Sequence, residues 1–411
     1  MSEMNFADQR LESLPWKGQD YWVSQYNFVK EIEDKLIKPK EVIIHDSTLR
    51  DGEQAPGLSF NKNQKIEVAK MLNDIGVQYI EAGFPAISKE EANTISEIAK
   101  LDLNAKITCL TRATKEDVDR AVDCGVWGAI IEVPVGYPRL KYQFEWKEEE
   151  VINKTMEILD YAKSKGLNVI LFLIDATRAR GDFLKKLLVM ADETKNIDKV
   201  SVVDTLGCAN PEAINYMVKN IKKWVSVPLE VHVHNDFGLG TINTIAGLMA
   251  GAESFSCTVN GIGQRGGNAS LEEIVLALKL LYGVETNIDI TKLKELSLFI
   301  QELSNIKVPP YKPVVGSNLF DWEAGIPTAA LRKLPLTVEP YTPKLLGEEH
   351  NILLGKKSGK ANILYKLEEN NLDYDKKLID KLLAKSKEIA TNNNKPLTNN
   401  EFLGIYKQLK G

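Results

Sequence analysis

From Glu41 onward, short apolar runs rich in β-branched residues alternate with stretches whose hydrophobic positions recur every three to four residues. Such runs, with helical spacing between them, are the pattern of repeated strand–helix units and a parallel sheet. Eight runs recur, at 42–45, 78–81, 106–110, 129–133, 168–174, 200–203, 230–234 and 255–259. Each lies about 20 to 40 residues from the next, enough for a crossover helix. Eight parallel strands predict closure into a (β/α)8 barrel.

The stretches between the runs carry helix punctuation. Residues 61–76 and 115–125 each end on a glycine, and Asn210-Pro211 offers an N-cap followed by proline at the first helical position. Polar residues gather just after the strands: Asp46, Arg50, Asp51, Glu81, Arg112, Glu132, Asp175, Arg178, Asp204, Thr205, His234 and Asn268. In a barrel that rim is the C-terminal face, where active sites sit. A helical pattern from 288 to about 306 is broken by Val308-Pro309-Pro310-Tyr311-Lys312-Pro313. The expected organisation is therefore an N-terminal extension (1–40), a catalytic barrel (41–310), and a linker with small, partly helical C-terminal subdomains (311–411). Trp16, Tyr21, Trp22, Tyr26 and Phe28 in the extension are expected to cover a barrel end or a subunit contact.

Composition narrows the class. With 411 residues, 44% of them hydrophobic, the chain can bury one large core with a smaller appendage. A net charge of -5 provides no broad positive field, so no nucleic-acid partner is expected. The first twenty residues are polar and mixed in charge, and no apolar run is long enough to span a bilayer. No membrane association is expected, and a cytoplasmic location is. Cys109, Cys124, Cys208 and Cys257 are scattered without a C-x-x-C pair, which argues against a disulfide framework or a thiolate zinc cluster.

The strongest chemical signal is Val231-His232-Val233-His234-Asn235-Asp236. Residues two apart on a strand share a face, so both imidazoles aim at one point. A lone histidine is usually a packed core residue; a pair at a strand's C-terminal end points to metal ligation. A charged third ligand is available in Asp46-Ser47-Thr48-Leu49-Arg50-Asp51-Gly52-Glu53-Gln54, which barrel closure would bring beside strand seven. There a carboxylate can bind the cation while the adjacent guanidinium offers fork-shaped donors to a substrate oxyanion. An Arg-Asp pair in a turn is just as often a solvated cap. The loop Gly261-Ile262-Gly263-Gln264-Arg265-Gly266-Gly267-Asn268 follows strand eight, and Asn268 could add an amide oxygen. Its G-x-G closes the barrel and opens no dinucleotide fingerprint. Two histidines, one carboxylate and one amide suit a divalent ion such as manganese, magnesium or zinc, with positions left for substrate.

These three segments together resemble the 2-isopropylmalate, homocitrate and citramalate synthase family over roughly residues 41–310, and Gly355-Lys356-Lys357-Ser358-Gly359-Lys360 resembles a motif of its C-terminal subdomains. The resemblance implies Asp51, His232, His234 and Asn268 as metal ligands, and Arg50 as oxyanion stabiliser. It further implies Thr205 and Gln54 as substrate contacts and Glu81 as an orienting carboxylate. The implied reaction is a Claisen condensation of an acyl-CoA, acetyl-CoA by expectation, with a small-molecule 2-oxo acid. A homodimer whose C-terminal segment lies over the partner's barrel is also implied. Too few residues follow Gly359 for the family's leucine-sensing domain, so feedback by that route is not expected.

Departures from the family cluster on the acetyl-CoA side. Ile174 stands where the family has a glutamate, Trp322 and Pro327 stand where it has histidines, and Val338 replaces its tyrosine, with Tyr341 nearby. The strand-four rim, Val133-Pro134-Val135-Gly136-Tyr137-Pro138, also differs from the family's Ser/His-containing form. Another group must then move the proton. Glu132 and Glu323 rank first for that task, followed by His350 in the segment expected to cap the site, while His45 reads as a packed residue. A carbon–carbon lyase or aldolase on the same scaffold, a barrel that binds ligand without turnover, and a two-histidine, one-carboxylate iron oxygenase remain as alternatives.

Overall fold

Each of the eight apolar runs forms a strand in the computed structural model, which describes residues 14–410. The strands are β1 (Ile43–Asp46), β2 (Tyr79–Glu81), β3 (Lys106–Arg112), β4 (Gly128–Pro134), β5 (Asn168–Ile174), β6 (Lys199–Asp204), β7 (Leu229–Val233) and β8 (Ser254–Cys257). All pair in parallel in sequence order, and β1 also pairs with β8, which closes the barrel. Val231 and Val233 point outward and are as buried as the inward residues because helices cover the barrel's outer face. Two strand ends fall short of the sequence expectation. β7 stops at Val233, so His234 sits one residue beyond it, and β8 stops at Cys257, after which Asn260 turns the chain with φ 61°.

One helix of the outer ring follows each strand: α1 (Lys62–Asp74), α2 (Lys89–Ala99), α3 (Lys115–Cys124), α4 (Glu148–Ser164), α5 (Gly181–Thr194), α6 (Pro211–Ile221), α7 (Gly240–Leu248) and α8 (Leu271–Tyr282). Helix α1 starts with a reciprocal cap, in which the Asn61 side chain accepts from Gln64 N–H and the Gln64 side chain accepts from Asn61 N–H. It buries Val68, Ala69 and Leu72 completely. Leu72→Ala is expected to cost about 2–5 kcal/mol, as for a fully buried leucine, read from the midpoint of urea unfolding. α9 (Leu293–Ser304) ends the barrel unit, which spans Tyr26–Val308.

The barrel's interior is divided by chemistry. Strands β3 to β6 contribute an apolar wall of Leu110, Ile130, Ile170, Phe172, Ile174 and Val203. The opposite wall is polar. His45 lies between Glu230 (Nδ1 to Oε2, 3.1 Å) and Thr108 (Nε2 to Oγ1, 2.8 Å), and Lys199 Nζ reaches the same Glu230 oxygen at 3.2 Å. Burial works to raise the Glu230 carboxyl, but Lys199 and His45 outweigh it and hold it well below the usual range. His45 is thus a satisfied core histidine, as its place on strand one suggests.

The second unit joins residues 14–25 to residues 309–410. A backbone ladder links the two segments: Trp22 N–H donates to Pro340 O (2.8 Å) and Thr342 N–H to Asp20 O (2.9 Å). The 1–40 extension is therefore divided, with Tyr26 onward belonging to the barrel unit, because backbone pairing between distant segments leaves no mark in composition. This unit contains a short parallel pair, β9 (Asp321–Trp322) and β10 (Asn351–Ile352), and the helices α10 (Gly325–Leu331), α11 (Lys360–Glu369), α12 (Lys376–Asn393) and α13 (Asn399–Lys410). Its core gathers Leu354, Ile363, Leu367, Leu382 and Phe402.

Candidate metal centre and active site

The turn after β1 is wound tightly around Ser47, whose carbonyl accepts from the N–H groups of Arg50, Asp51 and Gly52 at 3.1, 2.8 and 3.0 Å. This winding turns the side chains of Arg50 and Asp51 into the barrel mouth, where they are 8% and 2% exposed. Glu81, at the end of β2, accepts from Arg50 Nε at 2.6 Å and from Ser47 Oγ at 2.5 Å. The bond from Nε fixes one edge of the guanidinium.

Asp51 Oδ2 lies 3.1 Å from Nε2 of His232, on β7, and 3.4 Å from Nε2 of His234, just beyond that strand. Among the described residues, these three form the group of side chains able to share one cation. Spacings of about 3 Å between donor atoms are what ligands at 2.0–2.2 Å from one ion require. His232 Nδ1 pairs with Ser256 Oγ at 2.8 Å, a bond that leaves Nε2 as the ligating nitrogen when the hydroxyl accepts. Burial pushes His234 down to about 4, against the pull of the Asp51 carboxylate, so its ring is neutral and its lone pair available at neutral pH. Burial also works to raise Asp51, yet Arg50 and His232 prevail and keep it ionised.

Asn268 reaches the same place through a bridge pairing with His234. Its Nδ2 donates to Ile262 O at 3.1 Å, which orients the amide and leaves Oδ1 buried without a hydrogen-bond partner. Asp51 Oδ2 and Arg50 Nη2 are likewise buried and unpartnered. Buried polar atoms are rarely left unsatisfied. Two acceptors and one guanidinium donor orphaned together match a cation with an anionic ligand bound to it, so the residues present fit a divalent ion.

Other expected residues are placed as follows. Thr205 Oγ1 accepts from Asp175 N–H at 2.7 Å and retains its own proton to donate. Gln54 is exposed on the rim, and its Oε1 accepts from Gln264 Nε2 at 2.8 Å. Glu132, on β4, has its carboxyl raised by burial, opposed by Arg50 and Arg139. Asp175 is taken up by a two-pronged pair with Arg178 at 2.8 and 2.7 Å. Glu323 belongs to the C-terminal unit, where its carboxylate accepts from Lys357 N–H at 3.1 Å and packs against Gly355. His350 is engaged there by Glu339 at 3.0 Å. Glu323 and His350 thus have partners within that unit, while Glu132 lies within the field of Arg50.

Phe172 escaped the sequence reading. It stacks edge-on to His232 at 5.2 Å and lies under the Arg50 guanidinium at 5.7 Å, giving the centre one apolar wall. Ser256 was missed as well, although its register opposite His232 follows from counting back along strand eight. A cleft of about 450 Å³ opens beside Arg50 between Gln54, Leu58, Phe60, Phe84 and Ile87. No described helix is long and apolar enough to cross a membrane.

The HMGL-like family model matches residues 41–300, and a model described as homocitrate synthase post-HMGL domain-like matches residues 314–394. The chain is 42% identical over 366 residues to homocitrate synthase AksA of Methanopyrus kandleri, covering 89% of this chain and 92% of that one. It is 39% identical over 387 residues to the 2-isopropylmalate synthase of Methanocaldococcus jannaschii, covering 93% and 74% respectively. It is 40% identical over 370 residues to the (R)-citramalate synthase CimA of the same organism, covering 90% and 75%. Among solved structures, the HMG-CoA lyase of Brucella melitensis shares the fold with a TM-score of 0.57 at 20% identity, over 65% of this chain and 99% of that one. The barrel, its centre and these relatives lead to one assignment: the chain belongs to the HMGL-like family, with the homocitrate, 2-isopropylmalate and citramalate synthases as its relatives.

Proposed function

We propose that the protein is an acyltransferase that condenses acetyl-CoA with a 2-oxo acid. The observation that carries this reading is the convergence of Asp51, His232, His234 and the orphaned Asn268 oxygen beside the free Nη2 of Arg50. In the reaction the acetyl methyl loses a proton, its carbon bonds to the keto carbon, and water releases CoA from the thioester. Asp51, His232, His234 and Asn268 would hold a manganese, magnesium or zinc ion, whose chemistry is Lewis-acid polarisation of the keto oxygen. Arg50, held by Glu81, donates to the same oxygen as negative charge develops on it. Thr205 and Gln54 are assigned to substrate binding, and Phe172 excludes water from one side.

The proton transfer is assigned to Glu132. Burial disfavours its charged form, which brings the carboxyl closer to working pH, as a general base requires. Glu132→Gln is expected to slow solvent-deuterium exchange into the acetyl-CoA methyl by about 10²-fold or more. Wild-type exchange in the variant would remove Glu132 from that role.

Release of free CoA from acetyl-CoA across a panel of 2-oxo acids, followed with a thiol reagent, tests the whole reading. The expected result is release that requires both a divalent ion and one particular oxo acid. Formation of acetyl-CoA from a hydroxyacyl-CoA, or of pyruvate from a hydroxylated 2-oxo acid, with no CoA release, would assign the protein to carbon–carbon cleavage instead. That second reading draws its support from Ile174, Trp322, Pro327 and Val338, which replace the family's proton-transfer groups. A homodimer in the cytoplasm is the assembly and location we assign; a monomer in light scattering would overturn the former.

A further inference from the structure

Helix α1 buries a lysine on its core face. Lys65 is 1% exposed, in line with Val68, Ala69 and Leu72. All three protons of its ammonium have acceptors: Leu49 O at 3.1 Å, Glu53 Oε2 at 2.6 Å and Glu91 Oε1 at 2.7 Å. Leu49 and Glu53 flank Arg50 and Asp51, so one ammonium grips the chain on both sides of the pair that forms the metal centre. The third partner reaches the other half of the same arrangement. Glu91, on α2, also accepts from Phe84 N–H at 3.3 Å. Its carboxylate fills a notch at Gly83, where φ is +149° and a side-chain carbon would collide with Glu91 Oε1. Gly83 and Phe84 lie two and three residues after Glu81, the carboxylate that holds Arg50.

A buried ion pair is a poor way to gain stability, because an apolar side chain of similar length fills the space without the desolvation penalty. What the ammonium adds is position: its bonds are directional and tie the turn after β1, the turn after β2 and two helices to one atom. We infer that Lys65 is a positioning residue that sets the geometry of Asp51 and Arg50 for ion binding and catalysis. The inference rests on the metal-centre reading above. Outer-shell partners of metal ligands, when removed, weaken metal affinity by about 10–100-fold.

The test measures Mn²⁺ binding to metal-stripped protein by titration calorimetry, together with kcat and KM for CoA release. Lys65→Met is expected to retain the barrel's circular dichroism, weaken Mn²⁺ binding by about 10–100-fold, and lower kcat more than it raises KM for acetyl-CoA. Leu72→Ala, two turns further along the same helix, is the control for lost stability alone, and its Mn²⁺ affinity is expected to match the wild type. If Lys65→Met fails to fold, Glu91→Gln, which keeps the shape and removes one anion, carries the test with a weakening in the same direction. Equal Mn²⁺ affinity in wild type and Lys65→Met overturns the inference, as does equal loss in Lys65→Met and Leu72→Ala; if only Glu91→Gln can be measured, wild-type affinity in it does the same. Wild-type protein that takes up no divalent ion removes the metal-centre reading and this role with it.

Discussion

Replacing His232 and His234 together by alanine is expected to reduce the bound divalent ion from about one per subunit to background, because a site of this kind keeps only three or four protein ligands. Elemental analysis of purified protein after exhaustive dialysis reads the result directly. The two rings lie 5.3 Å apart between centroids, and both face Asp51 Oδ2, so no single substitution would leave two imidazoles on the ion. With the rings removed, Asp51 retains Arg50 as its counter-charge at 3.3 Å, and the carboxylate stays ionised without the cation. Turnover is expected to fall with occupancy. Full occupancy in the double variant would place the ion elsewhere and refute the centre described here.

Arg50→Ala is expected to lower turnover by about 10²–10³-fold, the usual effect of removing one preorganised oxyanion donor, with little change in fold. Arg50 meets Glu81 through Nε, and its Nη2 is left without a protein partner inside a buried site. A donor kept unsatisfied in that way is available to a substrate oxygen. Glu81 keeps its bond from Ser47 Oγ in the variant, so the loss of structure is local. Arg50→Lys is expected to restore only part of the rate, since an ammonium cannot bond Glu81 and a substrate oxygen with the same planar fork. A sharply lowered melting temperature in Arg50→Ala, with turnover falling in proportion to the folded fraction, would show that the guanidinium serves the fold.

Much of this molecule was legible in the order of its residues. Hydrophobic runs separated by helical spacing are sufficient for a parallel sheet, and eight of them in one chain lead to closure, because an alternating strand–helix chain buries both faces of each strand in few other ways. The clustering of the proposed metal ligands was legible for a related reason. His232 and His234 share a face by the two-residue repeat of a strand, and Asp51 and Asn268 follow strands one and eight, which closure makes neighbours. Each inference needed only local geometry and the topology that the pattern already implied.

The remainder depended on distances between segments far apart in sequence. Nothing in the composition of residues 1–40 marks the division after Gln25, which rests on backbone bonds to Pro340 and from Thr342. Glu323 and Glu132 rank together as carboxylates near departures from the family pattern; what the sequence left out is their surroundings, Lys357 beside the first and the field of Arg50 around the second. Lys65 was invisible for the opposite reason. A lysine on a helix reads as solvent-facing by residue type, and only the arrival of Leu49, Glu53 and Glu91 around its ammonium makes burial possible. Periodicity determines which way a side chain points from its own element, and so the sequence by itself determined the barrel and the face on which its chemistry sits. What a side chain meets there is decided by packing, whose energy belongs to the partners jointly, and so the partners of each candidate carboxylate, the Lys65 clamp and the unit boundary appeared only in the tertiary structure.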